Sequence, residues 1–197
     1  MSDYTPRYNS NGIRGNPHYY GSNPFYNAGY GMPNCTCYAW GRFWEIADPN
    51  NEYIHRPTLS TGNAEDWYPH TSDGYSRGST PALGAIACYA DGNFSGLGHV
   101  CVVEYIDYDN QKCRVSESAY HGYFFRSSHW ISYSGAYGYG GYRFQGFIYN
   151  PYAGDTPGPP GPGPLSEGKR WWYFKKQIKT RKELIFPMEK KGLITSW

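Results

Sequence analysis

Asn34-Cys35-Thr36-Cys37-Tyr38-Ala39-Trp40-Gly41-Arg42-Phe43-Trp44-Glu45-Ile46-Ala47 is the stretch on which the fold turns. Cys35, Tyr38/Ala39, Arg42/Phe43 and Ile46/Ala47 recur near a 3.6-residue period, so the segment reads as a helix over Cys35–Ala47. Asp48-Pro49-Asn50-Asn51 stops it. Asn34 stands where a side-chain oxygen caps the first turn. Upstream, residues 1–32 are rich in Gly, Asn, Tyr and Pro without periodicity, and are expected to form an irregular extension draped on the domain.

Downstream the text changes period. A short helical turn is expected over 63–67, then strands over 85–89, 99–106, 113–118 and 142–149. The strongest is His99-Val-Cys-Val-Val-Glu-Tyr-Ile106, reached from the Gly-rich 92–98 loop and followed by a turn over 107–110. That turn makes a hairpin with the next strand. One good helix followed by sequential strands reads as α+β with an antiparallel sheet. Residues 154–164 (GDTPGPPGPGP) form a Pro/Gly linker that cannot build a core.

Length and composition bound the rest. At 197 residues there is room for one domain with a proper core, but not for two large ones. Only 17% of residues are charged, against 25 Gly and 15 Pro, which excludes a coiled coil and a highly charged disordered chain. The 22 tyrosines suit a broad, wet surface for a polar substrate. Nine Lys/Arg against three Glu give residues 165–197 a charge of +6, so the remainder carries −4 of the total +2. An acidic body does not suggest nucleic-acid binding. The basic, aromatic tail suits an anionic wall polymer or a lipid surface, but equally a solvated tail or the start of a further domain.

Cys35, Cys37, Cys88, Cys101 and Cys113 are odd in number and contain no C-x-x-C pair. Cys88, Cys101 and Cys113 lie in strand-like text and read as small core hydrophobes. The remaining histidines, His18, His55, His70, His121 and His129, show no ligand spacing, so neither a metal nor another cofactor is expected. The start of the chain has no signal-peptide pattern, and nothing approaches the ~18 apolar residues of a membrane span.

The chemistry begins with a thiol. A thiol attacks an amide only as thiolate, and a helix N-terminus beside an imidazole is where thiolates are stabilised. Cys35 takes the first position of the helix, and His99 opens the longest strand just after Gly98. Glu117 lies near the end of the next strand, where hairpin pairing brings it toward His99. A carboxylate there fixes the imidazole tautomer. Cys35, His99 and Glu117 are therefore the candidate catalytic residues. Cys37, about 200° around the helix from Cys35, should lie outside the cleft.

Several ordered segments carry a resemblance: 34–42 around Cys35, 62–67 (GNAEDW), 81–89 (PALGAIACY), 98–104 (GHVCVVE), 115–120 (VSESAY) and 144–151 (FQGFIYNP). Together they resemble the CHAP family, the cysteine- and histidine-dependent amidohydrolases/peptidases, over about residues 33–152. The resemblance implies a papain-like α+β fold in which the Cys-bearing helix packs on an antiparallel sheet. It also implies cleavage of peptidoglycan by a monomer, at the amide joining sugar to stem peptide or within the peptide. Such domains occur in bacteriophage lysins, so the expected protein is made in the cytoplasm and acts on the wall after release or within a virion. Asn34 becomes a candidate for the oxyanion as well as a cap; Trp67 and Tyr120, with Tyr68, Tyr123 and Trp130, become candidates for the substrate groove. Family members often carry Asn two residues after the acidic residue, where Ala119 stands here. Either Glu117 orients His99 alone or another group replaces the amide. The rival reading, which Ala119 keeps open, is a wall-binding or structural virion protein that retains the fold without activity.

Overall fold

A cap and a buried face set the central helix. The computed structural model describes residues 4–92, 97–134 and 141–154. In it a short helix α1 (Pro24–Asn27) precedes α2 (Cys35–Ala47), whose bounds match those expected. Asn34 Oδ1 accepts the backbone N–H of Thr36 at 2.8 Å and of Cys37 at 3.2 Å, closing the first turn. Apart from Cys35 and Glu45, every residue of α2 is buried, so it is covered on all sides rather than along one stripe.

The second cover is the N-terminal segment. Ile13, Tyr19 and Phe25 join the core around α2, so residues 4–32 are mostly irregular but supply interior side chains. At Gly41 a Cβ would lie 2.5 Å from the Tyr19 ring and 2.9 Å from the His18 carbonyl, so glycine is needed for this close approach. His18 Nε2 meets Asp48 Oδ2 at 2.9 Å, tying the segment to the residue that ends α2.

On its other side α2 packs against a six-stranded antiparallel sheet. In chain order the strands are β1 (Arg77–Gly78), β2 (Ile86–Asp91), β3 (His99–Asp107), β4 (Lys112–Glu117), β5 (Arg126–Ser132) and β6 (Tyr142–Ile148). Across the sheet they run β1-β6-β2-β3-β4-β5, so the site-bearing strands β3 and β4 are neighbours. Period-2 alternation divides the interior. Ile86, Cys88, Val100 and Val102 join the cluster around α2, whereas Ala87, Tyr89, Cys101 and Val103 form a second cluster on the opposite face.

The fold is therefore α+β, with the Cys-bearing helix packed on an antiparallel sheet, as expected. Two strands, β1 and β5, were not among those anticipated. β5 reads Arg-Ser-Ser-His-Trp-Ile-Ser, which has no apolar alternation, and it lies at the sheet edge where only one neighbour pairs with it. Among the described residues no helix is long and apolar enough to cross a membrane. The linker beyond residue 154 and the basic tail over 165–197 lie outside the described residues.

Candidate active site

Local backbone chemistry brings the site together at one end of α2. Cys35 holds the first helical position, where N–H groups have no intrahelical acceptor and the helix dipole favours an anion. His99 is delivered by a left-handed turn: Gly98 has φ +61°, and a Cβ there would lie 2.5 Å from the Tyr89 carbonyl oxygen and 2.6 Å from the Glu65 nitrogen. No other residue fits, which explains the Gly-His pair in physical terms. The bulge of β4 against β5 then turns Glu117 opposite Arg126.

The three side chains form a hydrogen-bonded line. His99 Nε2 is 2.7 Å from Glu117 Oε2, which leaves Nδ1 for Cys35, with which the ring is also hydrogen-bonded. Glu117 is fully buried and His99 nearly so, whereas Cys35 is partly open to solvent.

Electrostatics separate Cys35 from its four relatives. Burial alone would raise its thiol, but the hydrogen bond and charge of His99 outweigh it, helped by the backbone N–H groups of Val100 and Thr36. The net shift is down. Burial pushes Cys37 and Cys113 up to about 12, and raises Cys88 and Cys101 as well. All five thiols are free, and Cys37 points into the core with Sγ 3.4 Å from the Tyr19 carbonyl oxygen. His99 moves the opposite way. Burial works against its charged form, but hydrogen bonds to Cys35 and Glu117 raise it from 6.5 to about 9. Both shifts, the thiol down and the imidazole up, act in the direction of a thiolate–imidazolium pair.

Behind the line stands a residue that sequence reading missed. Arg126 donates from Nε at 2.8 Å and from Nη2 at 2.6 Å to Glu117 Oε1. Its guanidinium lies 4.5 Å from the Tyr123 ring centroid, and Nη2 also donates to His129 Nδ1 at 2.8 Å. Burial lowers His129, so it serves Arg126 as a neutral acceptor and not as a cation beside Glu117. His129 lies on β5, one of the two strands that were not anticipated. Nothing in the 126–132 text signals this role, because only strand pairing places Arg126 across from Glu117.

The proposed substrate residues fare differently. Asn34 is the helix cap; because Oδ1 is fixed by two backbone donors, its amide nitrogen is the free end of the side chain, next to the sulfur-bearing residue. Trp67 is a correction. It is 0% exposed, packs on Phe25 with ring centroids 5.9 Å apart and donates Nε1–H to the Gly62 carbonyl, so its face is core and not groove. Tyr120 is 55% exposed, with its ring centroid 4.0 Å from that of His121 and the two planes tilted by 55°, and is accessible to a ligand. Tyr142, at the start of β6, was not anticipated; its ring centroid lies 6.2 Å from that of His99.

A thiol at a helix N-terminus, an imidazole on the adjoining strand and a buried carboxylate behind it define the geometry of a papain-like thiol site. The family model described as the CHAP domain matches residues 25–119. The match takes in Cys35, His99 and Glu117 and begins within α1, upstream of the boundary at residue 33 read from the motifs. A protein of Streptococcus mutans serotype c with the name "Putative hydrolase" is 45% identical over 60 residues, covering 30% of this chain and 26% of that protein. A crystal structure of an N-acetylmuramoyl-L-alanine amidase from Staphylococcus aureus aligns at 20% identity with a TM-score of 0.36, over 62% of this chain and 30% of that one. The chain thus spans under a third of the length of either relative.

Proposed function

We propose that this protein is a peptidoglycan hydrolase that cleaves an amide bond through Cys35, His99 and Glu117. The observation that carries the reading is the hydrogen-bonded line from a lowered, partly exposed thiol through His99 to a buried carboxylate. The match of residues 25–119 to the CHAP domain model supports the wall substrate.

The chemistry follows from the geometry. The Cys35 thiolate adds to the scissile carbonyl, and the resulting oxyanion accepts hydrogen bonds from the Cys35 N–H and the Asn34 side-chain amide. His99, protonated at rest, gives its proton to the departing amine as the C–N bond breaks, leaving a thioester on Cys35. The neutral ring then takes a proton from water. The hydroxide adds to the thioester carbonyl, and collapse releases the carboxylic acid and restores the thiolate and imidazolium. Glu117 keeps Nε2 of His99 hydrogen-bonded throughout, so Nδ1 remains the nitrogen that faces the reaction.

The bond cut is either the sugar–peptide amide or one within the stem or cross-bridge peptides. The enzyme works on the wall as a free lysin or as part of a virion, as a monomer. Clearing of purified walls tests this: the wild type clears, Cys35→Ala falls to background, and Asn34→Ser, which keeps the cap but not the amide donor, loses about 10²-fold. Equal clearing by wild type and Cys35→Ala would sink the thiol mechanism and favour the non-catalytic wall-binding reading that Ala119 raises. Mass spectrometry of the released fragments names the bond.

A further inference from the structure

We propose that Arg126 is a positioning residue for this reaction, holding Glu117 ionised and in one orientation so that it can support His99. The inference rests on the reading of Cys35, His99 and Glu117 given above. It starts from an electrostatic problem. Glu117 is fully buried, and a buried carboxylate without a cation takes up a proton. A neutral Glu117 could not stabilise an imidazolium, and His99 would lose one of the two groups that raise it.

Arg126 answers both needs. Two N–H groups on one carboxylate oxygen hold the carboxylate in place while the other oxygen, Oε2, meets His99. A guanidinium does this better than an ammonium, since its donors sit in a rigid fork. The arginine is itself held, by His129 Nδ1 at 2.8 Å and by the Tyr123 ring beneath it. Its side chain is 31% exposed, so the charge is supplied from the sheet edge without burying a second ion. The methyl group of Ala119, where relatives often place an amide, can do none of this. The groups facing Glu117 are His99 from β3, Arg126 and His129 from β5, and Tyr123 from the loop between β4 and β5. Cys101 and Tyr89, whose ionisation Glu117 opposes, are both raised and stay neutral.

The test uses the full chain and two readouts: the rate of Cys35 carboxamidomethylation by iodoacetamide from pH 5 to 10, and wall clearing. Arg126→Gln should slow alkylation near pH 6.5 about 10-fold and move the acid limb of the profile up by about one pH unit. Clearing should fall through kcat with KM little changed. Arg126→Lys should recover part of both, and Arg114→Gln, a control on β4 whose guanidinium bonds the Ser127 carbonyl, should track the wild type. An Arg126→Gln profile that superimposes on the wild type would overturn the proposal. A wild-type Cys35 that alkylates no faster than a thiol in the denatured chain would overturn the active-site reading, and Arg126 with it. Should the Arg126 variants not fold, the wild type decides by NMR. Its Arg126 Nε–H signal is expected to exchange slowly and to shift with the midpoint of Cys35 alkylation; a fast-exchanging, pH-independent signal counts against the role.

Discussion

Two glutamates on neighbouring strands, both fully buried and both facing an arginine, have different work to do. Glu104 on β3 is closed on every side. Its Oε1 accepts from Arg42 Nε at 3.0 Å and Ser116 Oγ at 2.6 Å, while Oε2 accepts from Arg42 Nη2, the Tyr4 hydroxyl and the Arg7 N–H. Tyr38 in turn donates to Ser116 Oγ, so α2, the N-terminal segment and two strands meet on one carboxylate. Glu117 on β4 divides its oxygens, giving one to Arg126 and the other to a group that titrates. A buried ion whose donors all hold their protons is architecture. One that keeps an oxygen for an imidazole can take part in a reaction.

That contrast can be broken by exchanging the acids one at a time. Glu117→Gln removes the charge behind His99 and should cost between about 10² and 10⁴-fold in wall clearing. Its stability should change little, because the arginine left behind is partly exposed. Glu104→Gln should do the reverse. It takes from the buried Arg42 one of its two carboxylate partners, leaving only Glu45, and should cost about 3 kcal/mol, lowering Tm by about 10 °C. Alkylation of Cys35 in the folded protein should stay at the wild-type rate. If Glu104→Gln instead slows that alkylation at unchanged Tm, the two sites are not separable.

The smallest effect is in pH. His99 is raised from 6.5 to about 9, so its contribution to folded stability is complete below about pH 6.5 and fades as pH rises through about 9. Activity should fall over that upper limb, as the ring loses the proton it gives the leaving amine. Around Glu104 nothing matches this, since Arg42, Tyr4 and Tyr38 are all raised and hold their protons there. An NMR titration of the His99 ring checks the midpoint, which should drop in Cys35→Ala with the loss of one partner that raises it. An unchanged midpoint would mean that the thiol and ring are not paired.

Much of this was legible in residue order, for local reasons. The cap Asn34, the period of Cys35–Ala47 and the stop at Asp48 are written within one segment, and the helix has those bounds. Gly98 and His99 announce the turn because only glycine tolerates the backbone there. Trp67 was misplaced because an aromatic side chain in a polar segment reads alike whether it faces water or core. Arg126 was invisible, since β5 lacks alternation and its meaning comes from a partner strand. Glu104 read simply as one more strand residue, because its donors come from positions far along the chain.

That remoteness has a consequence in time. The contacts from Tyr4 and Arg7 to Glu104 span 100 and 97 positions of chain. Tyr4 and Arg7 must therefore wait until β3 has been made as far as Glu104 before they have that carboxylate to bind. The Asn34 cap, by contrast, is complete once Cys37 has been added. Contacts of such span are the slow ones to close. The helix bearing the nucleophile is thus ready long before the cover that seals it.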